Sequence, residues 1–320
     1  MNQPTHHRTA PDRPLRGIAL MVVAVTVFGV MDISAKFLAQ IYPPQLVIWA
    51  RYALQMVLMI LIFGPRMRLS LIRSGTPRLQ ILRGLFLTIA STCYFIALSF
   101  MPIAEAAAVT YSAPLFLVLI AIPMLGERAD RASWIAVIAG FVGILFIIQP
   151  GAAAFTLAAL LPLATGLCNA IYHGLTRKIS GIDSTMVSVF IPTVVGTLLT
   201  STALLVEPSW QAPLLVWWHG VLFVSVGIMA SVAHFLLIKS FDAAPAPVVA
   251  PFVYTQLLTV TLLGWLVFGQ FPDGWALLGM AIVVASGVFV ATHQRRRIET
   301  KKSAPDKKPA TASIPEIDRK

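Results

Sequence analysis

Apolar runs of close to twenty residues follow one another along almost the whole chain, separated by short breaks rich in Pro, Gly and charge. A half-buried strand would alternate apolar and polar positions, and a surface helix would keep one polar face. These runs do neither. A helix of about twenty apolar residues is ~30 Å long, the thickness of a bilayer's hydrocarbon core. The pattern predicts ten spans, at about 17–39, 44–64, 80–100, 104–124, 132–149, 157–177, 185–206, 214–238, 245–268 and 274–292. The breaks carry the expected helix stoppers, and none is long enough for a separate soluble domain.

One of these runs recurs. The stretch from Ala97 to Glu127 holds a break at Met101-Pro102, an apolar run and a polar stop. Shifted by 143 residues, Pro102 meets Pro245, Ala107 meets Ala250, Tyr111 meets Tyr254 and Gly126 meets Gly269, and the flanking runs correspond in order and length. Spans 1–5 therefore correspond to spans 6–10. Five is odd, so the second copy enters the membrane from the opposite side. The predicted fold class is an all-α membrane protein of ten transmembrane helices, built as two inverted five-helix repeats about an axis in the membrane plane. The expected layout is an N-terminal arm at 1–16, one repeat at 17–149, a second at 157–292, and a disordered basic tail at 293–320.

Composition agrees with lipid as the main solvent. Of 320 residues, 58% are hydrophobic and 12% charged, against about 25% charged in soluble domains. A β-barrel would show alternating segments of about ten residues. The net charge of +11 does not indicate nucleic acid, because 22 of the 24 Lys and Arg residues fall in the arm, the tail and in or beside alternate breaks. The intervening breaks, around Tyr42, Pro102, Gly151, Glu207 and Gln270, hold none. The excess of cations on one side places both termini in the cytoplasm, with the bacterial inner membrane as the expected location. Residues 1–16 could open a signal peptide, but the run from Ile18 to Ala35 is too long for a signal core and reads as a retained first helix. Cys93 and Cys168 lie inside apolar runs as inert thiols rather than a disulfide or metal site.

Two five-span copies, the first with Pro114 inside a helix that closes on Leu125-Gly126-Glu127, resemble the EamA-type transporters of the drug/metabolite transporter superfamily. The second copy departs, with Phe268-Gly269-Gln270 at that stop and Leu257 where Pro114 stands. The resemblance implies a central cavity lined mainly by spans 3, 4, 8 and 9, rocking of spans 1, 2, 6 and 7, and alternating access. It leaves the solute open, since members move amino acids, nucleotide-like metabolites, vitamins and other small organics.

Candidate chemistry comes from the few polar groups inside the spans. Asp32 and Lys36 lie four residues apart on one face of span 1, and Arg51 lies at similar depth on span 2. Intramembrane charges are costly and point to function, although Lys36 and Arg51 have stems long enough to reach the interface. Asp32 is too short to do so, and Arg51 is its expected ion-pair partner in an outer gate. A shift of 141 sets His173 opposite Asp32 as a candidate proton-responsive group on the inner side. Tyr111 and Tyr254 form a repeat-related pair, and Tyr94, Asn169 and Gln256 add polar groups at comparable depth. Pro114 is expected to kink span 4 and free a carbonyl.

No nucleotide-binding loop and no H-E-x-x-H or G-x-S-x-G motif is present. The chain is therefore read as a secondary carrier and not an enzyme, with no cofactor and no nucleic-acid partner. Its partners are a small-molecule solute, membrane lipid, and either protons or a counter-solute; the small-residue face of Ala136, Gly140 and Gly143 serves packing within the monomer or in a homodimer. Asp32 beside Lys36 and Arg51 can hold both an ammonium and a carboxylate, which favours a zwitterion such as an amino acid or an S-adenosylmethionine-like metabolite. A riboflavin-like vitamin is the alternative, because aromatics and amides suit a flat ring.

Overall fold

The structure is a computed structural model and describes residues 14–125, 130–150, 157–179, 182–206, 216–244 and 246–303. The arm up to residue 13, the Gly126-Glu127 stop and the tail beyond 303 lie outside the described residues. Among the described residues, ten helices are long and apolar enough to cross a membrane. They are α1 (Pro14–Ala39), α2 (Pro44–Met67), α3 (Pro77–Leu98), the pair α4 (Ile103–Thr110) and α5 (Ala113–Leu125), α6 (Arg131–Ile148), α7 (Leu161–Lys178), α8 (Thr185–Val206), α9 (Trp217–Ala243), the pair α10 (Ala246–Val249) and α11 (Thr255–Phe268), and α12 (Gly274–Ser303). The last helix continues beyond the span end at 292 and through Ser303, into a segment that the sequence suggests is unstructured.

Spans 4 and 9 are broken at repeat-related points. Between α4 and α5 the chain turns at Tyr111-Ser112, where Tyr111 caps α4. Between α10 and α11 it passes through a 3-10 turn from Ala250 to Tyr254. Pro114 does not make the expected mid-helix kink. It sits in the first turn of α5, where a missing N–H costs nothing, and the break lies three residues earlier.

The helix contacts obey the two-fold relation. α1 packs most extensively on α9, and its counterpart α7 packs on α3; α2 packs on α9 as α8 packs on α3; α1 packs on α11 as α7 packs on α5. α2 meets α8, and α6 meets α12, each with its own counterpart. The two halves of the molecule are therefore not the two sequence repeats. One body combines α1 and α2 with α9 and α11, and the other combines α7 and α8 with α3 and α5. A seam runs between them, with α6 and α12 as a separate pair. On the face carrying the basic loops, Asp130 caps α6 through the Ser133 N–H at 2.9 Å and holds His293 of α12 at 2.6 Å. The His293 bond and the backbone bond keep the Asp130 carboxyl below its usual range.

Candidate solute site at the seam

Asp32 is 4% exposed, two turns before the end of α1. Its Oδ2 accepts from Gln256 Nε2 at 2.8 Å and, more weakly, from the Tyr94 hydroxyl at 3.5 Å. Gln256 accepts in turn from the Tyr111 hydroxyl at 3.0 Å. The rings of Tyr111 and Tyr254 lie 5.2 Å apart, tilted by 51°. One polar cluster thus draws α1 and α11 from one body and α3 and α4 from the other side of the seam, at the two helix breaks. Tyr254 places its hydroxyl in a buried position without a hydrogen-bond partner, as are the hydroxyls of Thr110 and Ser112 at the other break. Gly287 of α12 makes room for it, since any β-carbon there would overlap the Tyr254 hydroxyl.

Arg51 is 7% exposed. It donates from one terminal nitrogen to Ser91 Oγ at 2.8 Å, across the seam, and its guanidinium lies 4.5 Å from the Tyr52 ring and 5.5 Å from that of Phe95. Its Nε is buried without a partner. The expected Asp32–Arg51 ion pair is not formed. Asp32 is held by an amide and a phenol, and Arg51 by a hydroxyl and two aromatic faces.

Lys36 does not snorkel. It is 2% exposed and donates to the Met101 carbonyl at 2.8 Å and to Gln270 Oε1 at 2.9 Å, with the Phe268 ring at 5.3 Å. Gln270 can reach it because Gly269 ends α11 with φ of 65°, in the left-handed region open to glycine. This bond joins α1 and the end of α11 to the link before α4, near the face opposite the basic loops. Trp49 Nε1 donates to Ser201 Oγ at 2.8 Å, joining α2 to α8 in the same half. Tyr52 reaches Ser91 and the Leu87 carbonyl from mid-membrane. Asn169 of α7 is half-buried and takes no part in the cluster. His173 is exposed on α7 with its ring 5.3 Å from Tyr172, and so lies apart from the cluster rather than mirroring Asp32 within it.

Two residues outside the sequence candidates belong to this region. Gln55 lies one turn from Arg51 on the same face of α2 and is 2% exposed. Its Nε2 lies 3.4 Å from Nδ1 of His234 on α9. His234 Nδ1 is 2.7 Å from the Ala230 carbonyl. A carbonyl only accepts, so Nδ1 carries the proton and Nε2 is left as an acceptor. Both residues line a cavity of about 350 Å³ in the half nearer the basic face. The signal that marks Asp32, a polar side chain inside an apolar run, was present at both positions.

The basic-side ends are tied differently. Asp183, between α7 and α8, accepts from Ser74 at 2.6 Å, the Gly75 N–H at 2.7 Å, Gln80 at 2.8 Å and Thr76 at 3.0 Å. Arg83, 2% exposed, donates to Gln80, to Thr176 at 2.9 Å and to Tyr172 at 3.3 Å. All of these groups belong to the α3–α7–α8 body or its loops. Burial pushes the Asp183 carboxyl up, but the four hydrogen bonds outweigh it and hold it down at about 2.

Comparison with known proteins adds an independent line. The EamA-like transporter family matches residues 15–149 and again 156–292. A riboflavin transporter of Vibrio cholerae is 30% identical over 299 residues, covering 91% of this chain and 96% of its own length. An S-adenosylmethionine uptake transporter of Rickettsia bellii is 26% identical over 230 residues, covering 72% of this chain and 78% of its own. A crystal structure superposes with a TM-score of 0.61 at 22% identity over 89% of this chain and 100% of the other, a likeness of fold alone.

Proposed function

We propose a solute class from one premise: the chain belongs to the EamA-like transporter family, within the drug/metabolite transporter superfamily. It is an integral multi-pass membrane protein and a transporter of small metabolites, not an enzyme. The solute is a zwitterion, an amino acid or an S-adenosylmethionine-like metabolite, moved by alternating access across a bacterial inner membrane with both termini in the cytoplasm. One observation carries this reading. Asp32 and Arg51 are buried opposite charges on adjacent spans, and each is bound to neutral groups rather than to the other. Removing one partner of a buried pair costs ~3–5 kcal/mol. Two such charges, each without the other as partner, are complementary to a solute that brings both signs.

The state of the seam supports the mechanism. Its hydrogen bonds through Lys36, Trp49, Tyr52 and Arg51 lie in the middle and in the half away from the basic face. The cavity lies in the basic half. With the basic face in the cytoplasm, this is the inward-facing state. Turning outward breaks the Lys36 and Trp49 bonds and closes the cavity. The two-fold relation makes such a second state similar in energy.

A flavin is the second reading. It is favoured by the similarity to riboflavin transporters over more than nine-tenths of the chain and by the tyrosines around Gln256. Thermal stabilisation of the purified chain by S-adenosylmethionine, an amino-acid panel and riboflavin separates the two, because a bound solute stabilises the native state by mass action. A zwitterion should stabilise the wild type and lose that effect in Asp32→Asn and in Arg51→Gln. Stabilisation by riboflavin that survives both changes selects the flavin reading.

A further inference from the structure

Below Arg51 the seam opens into a cavity that the charge pair does not explain. Its volume is about 350 Å³, and its walls are Met59 and Phe63 of α2, Met186 and Val189 of α8, and Phe235 of α9. Cavities of this size take organic molecules rather than water alone, and methionines adapt to varied apolar and aromatic shapes. The polar residues are not scattered through it. Gln55 and His234 sit together at the level of the turn below Arg51, and Ser231 bonds its own helix at the Gly227 carbonyl, 3.0 Å away. The Phe28 ring of α1 meets His234 edge-on at 4.9 Å and fixes its plane. With Nδ1 turned to the Ala230 carbonyl, Nε2 is the acceptor that His234 offers on this largely apolar lining, and the buried Nε of Arg51, one turn from Gln55 on α2, is a donor without a partner.

We propose that this cavity is a side-chain subsite, and that it selects zwitterions with a long apolar or aromatic body carrying one N–H or O–H donor. The inference rests on the zwitterion reading and deepens it. The carboxylate and ammonium lie at Arg51 and Asp32. The body extends between α2, α8 and α9, and its donor reaches His234 Nε2. Small zwitterions fill only the charged end and leave the cavity to water. α2 and α9 belong to one body and α8 to the other, so a large side chain also contacts both sides of the seam in its inward-facing state.

Three probes distinguish the elements of this site: L-alanine, L-phenylalanine and L-tryptophan. They share the charged end, and only tryptophan adds both a large ring and an N–H. Binding is read from thermal shift titrations of the full chain. Burial of an aromatic side chain predicts that phenylalanine binds at least ~10-fold tighter than alanine, and that tryptophan exceeds phenylalanine by a further ~5-fold through the hydrogen bond. Met186→Trp or Val189→Phe, which fill the cavity without touching the charges, should bring all three to the affinity of alanine. His234→Phe should erase only the difference between tryptophan and phenylalanine. Equal affinities for the three probes in the wild type, abolished by Asp32→Asn, would leave the zwitterion reading standing and overturn the subsite. A size preference that persists in both filled variants would also overturn it. No stabilisation by any of the three, with Asp32-independent stabilisation by riboflavin, would overturn both.

Discussion

The two halves of the membrane-embedded structure are held by opposite kinds of bond. In the half away from the basic loops, Lys36, Trp49 and Arg51 hydrogen-bond across the seam, each to a neutral group. On the basic side, the Asp183 and Arg83 networks are denser, yet they stay inside one body. Under the proposed alternating access, polar bonding in the first half closes a path and must be undone in each cycle. Polar bonding in the second keeps α3, α7 and α8 moving together. The seam bonds fit their task. A hydrogen bond from a charged donor contributes ~1.5–3 kcal/mol, enough to bias two states and small enough to be reversed by a solute.

The sharpest way to break this comparison is to tie each half shut. In a background with Cys93 and Cys168 replaced, a short bis-maleimide joining Trp49→Cys to Ser201→Cys should abolish transport in proteoliposomes. The same reagent joining Ser74→Cys to Asp183→Cys should leave most of it. Transport through the first cross-link, or loss only through the second, would mean that the seam is misplaced.

Arg83→Met should come next in size. It removes three hydrogen bonds to a buried cation and should lower folding stability by ~3 kcal/mol or more, read as a fall in melting temperature. The reactivity of a cysteine at Ser99, in the opposite half, towards an impermeant thiol reagent should not change. A change in labelling without loss of stability would make Arg83 part of the gate.

Lys36→Met removes a bond across the seam and keeps the apolar stem. It should shift the population towards the state open away from the basic face. A cysteine at Ser99 should then react up to ~10-fold faster with an impermeant thiol reagent, as expected for the loss of one charged hydrogen bond. Unchanged reactivity would reduce Lys36 to packing.

The smallest effect belongs to Asp183. Its folded carboxyl is held at about 2 against an ordinary value of 3.8. A depressed carboxylate contributes stability that is complete above its unfolded value and is lost as pH falls through the folded one. The melting temperature of the wild type should therefore decline between pH 4 and pH 2, and Asp183→Asn should be less stable at neutral pH and flatter across that window. An identical acid limb in both proteins would remove Asp183 from the account.

The number of spans, the repeat and the polar residues at mid-depth were legible in the sequence, because a charge or amide stands out in an apolar run. Asp32 and Gln256 stand out in that way and Tyr111 through its repeat relation to Tyr254, and the three meet in the structure. What each polar group faces was not legible. In lipid, both the packed and the exposed faces of a helix are apolar, so periodicity does not orient the helix, and Asp32 and Arg51 at equal depth suggested a pair that does not form. His173 is marked by its repeat position and lies outside the cluster, while Gln55 and His234 are polar side chains inside apolar runs like Asp32. The exchange of spans between the two bodies was hidden for a different reason. It depends on contacts between residues far apart in the chain, which no local pattern encodes.

The central claim is that two separated opposite charges, Asp32 and Arg51, bind the two ends of a zwitterion. The most direct test is initial uptake in proteoliposomes of the labelled zwitterion that most stabilises the wild type, for wild type, Asp32→Asn, Arg51→Gln and the double variant. The account predicts a fall of ~100-fold or more in each single variant, as expected when ~3 kcal/mol or more of charge pairing to the solute is lost, with insertion and yield unchanged and no recovery in the double variant. Near-wild-type uptake in Asp32→Asn or in Arg51→Gln would contradict it.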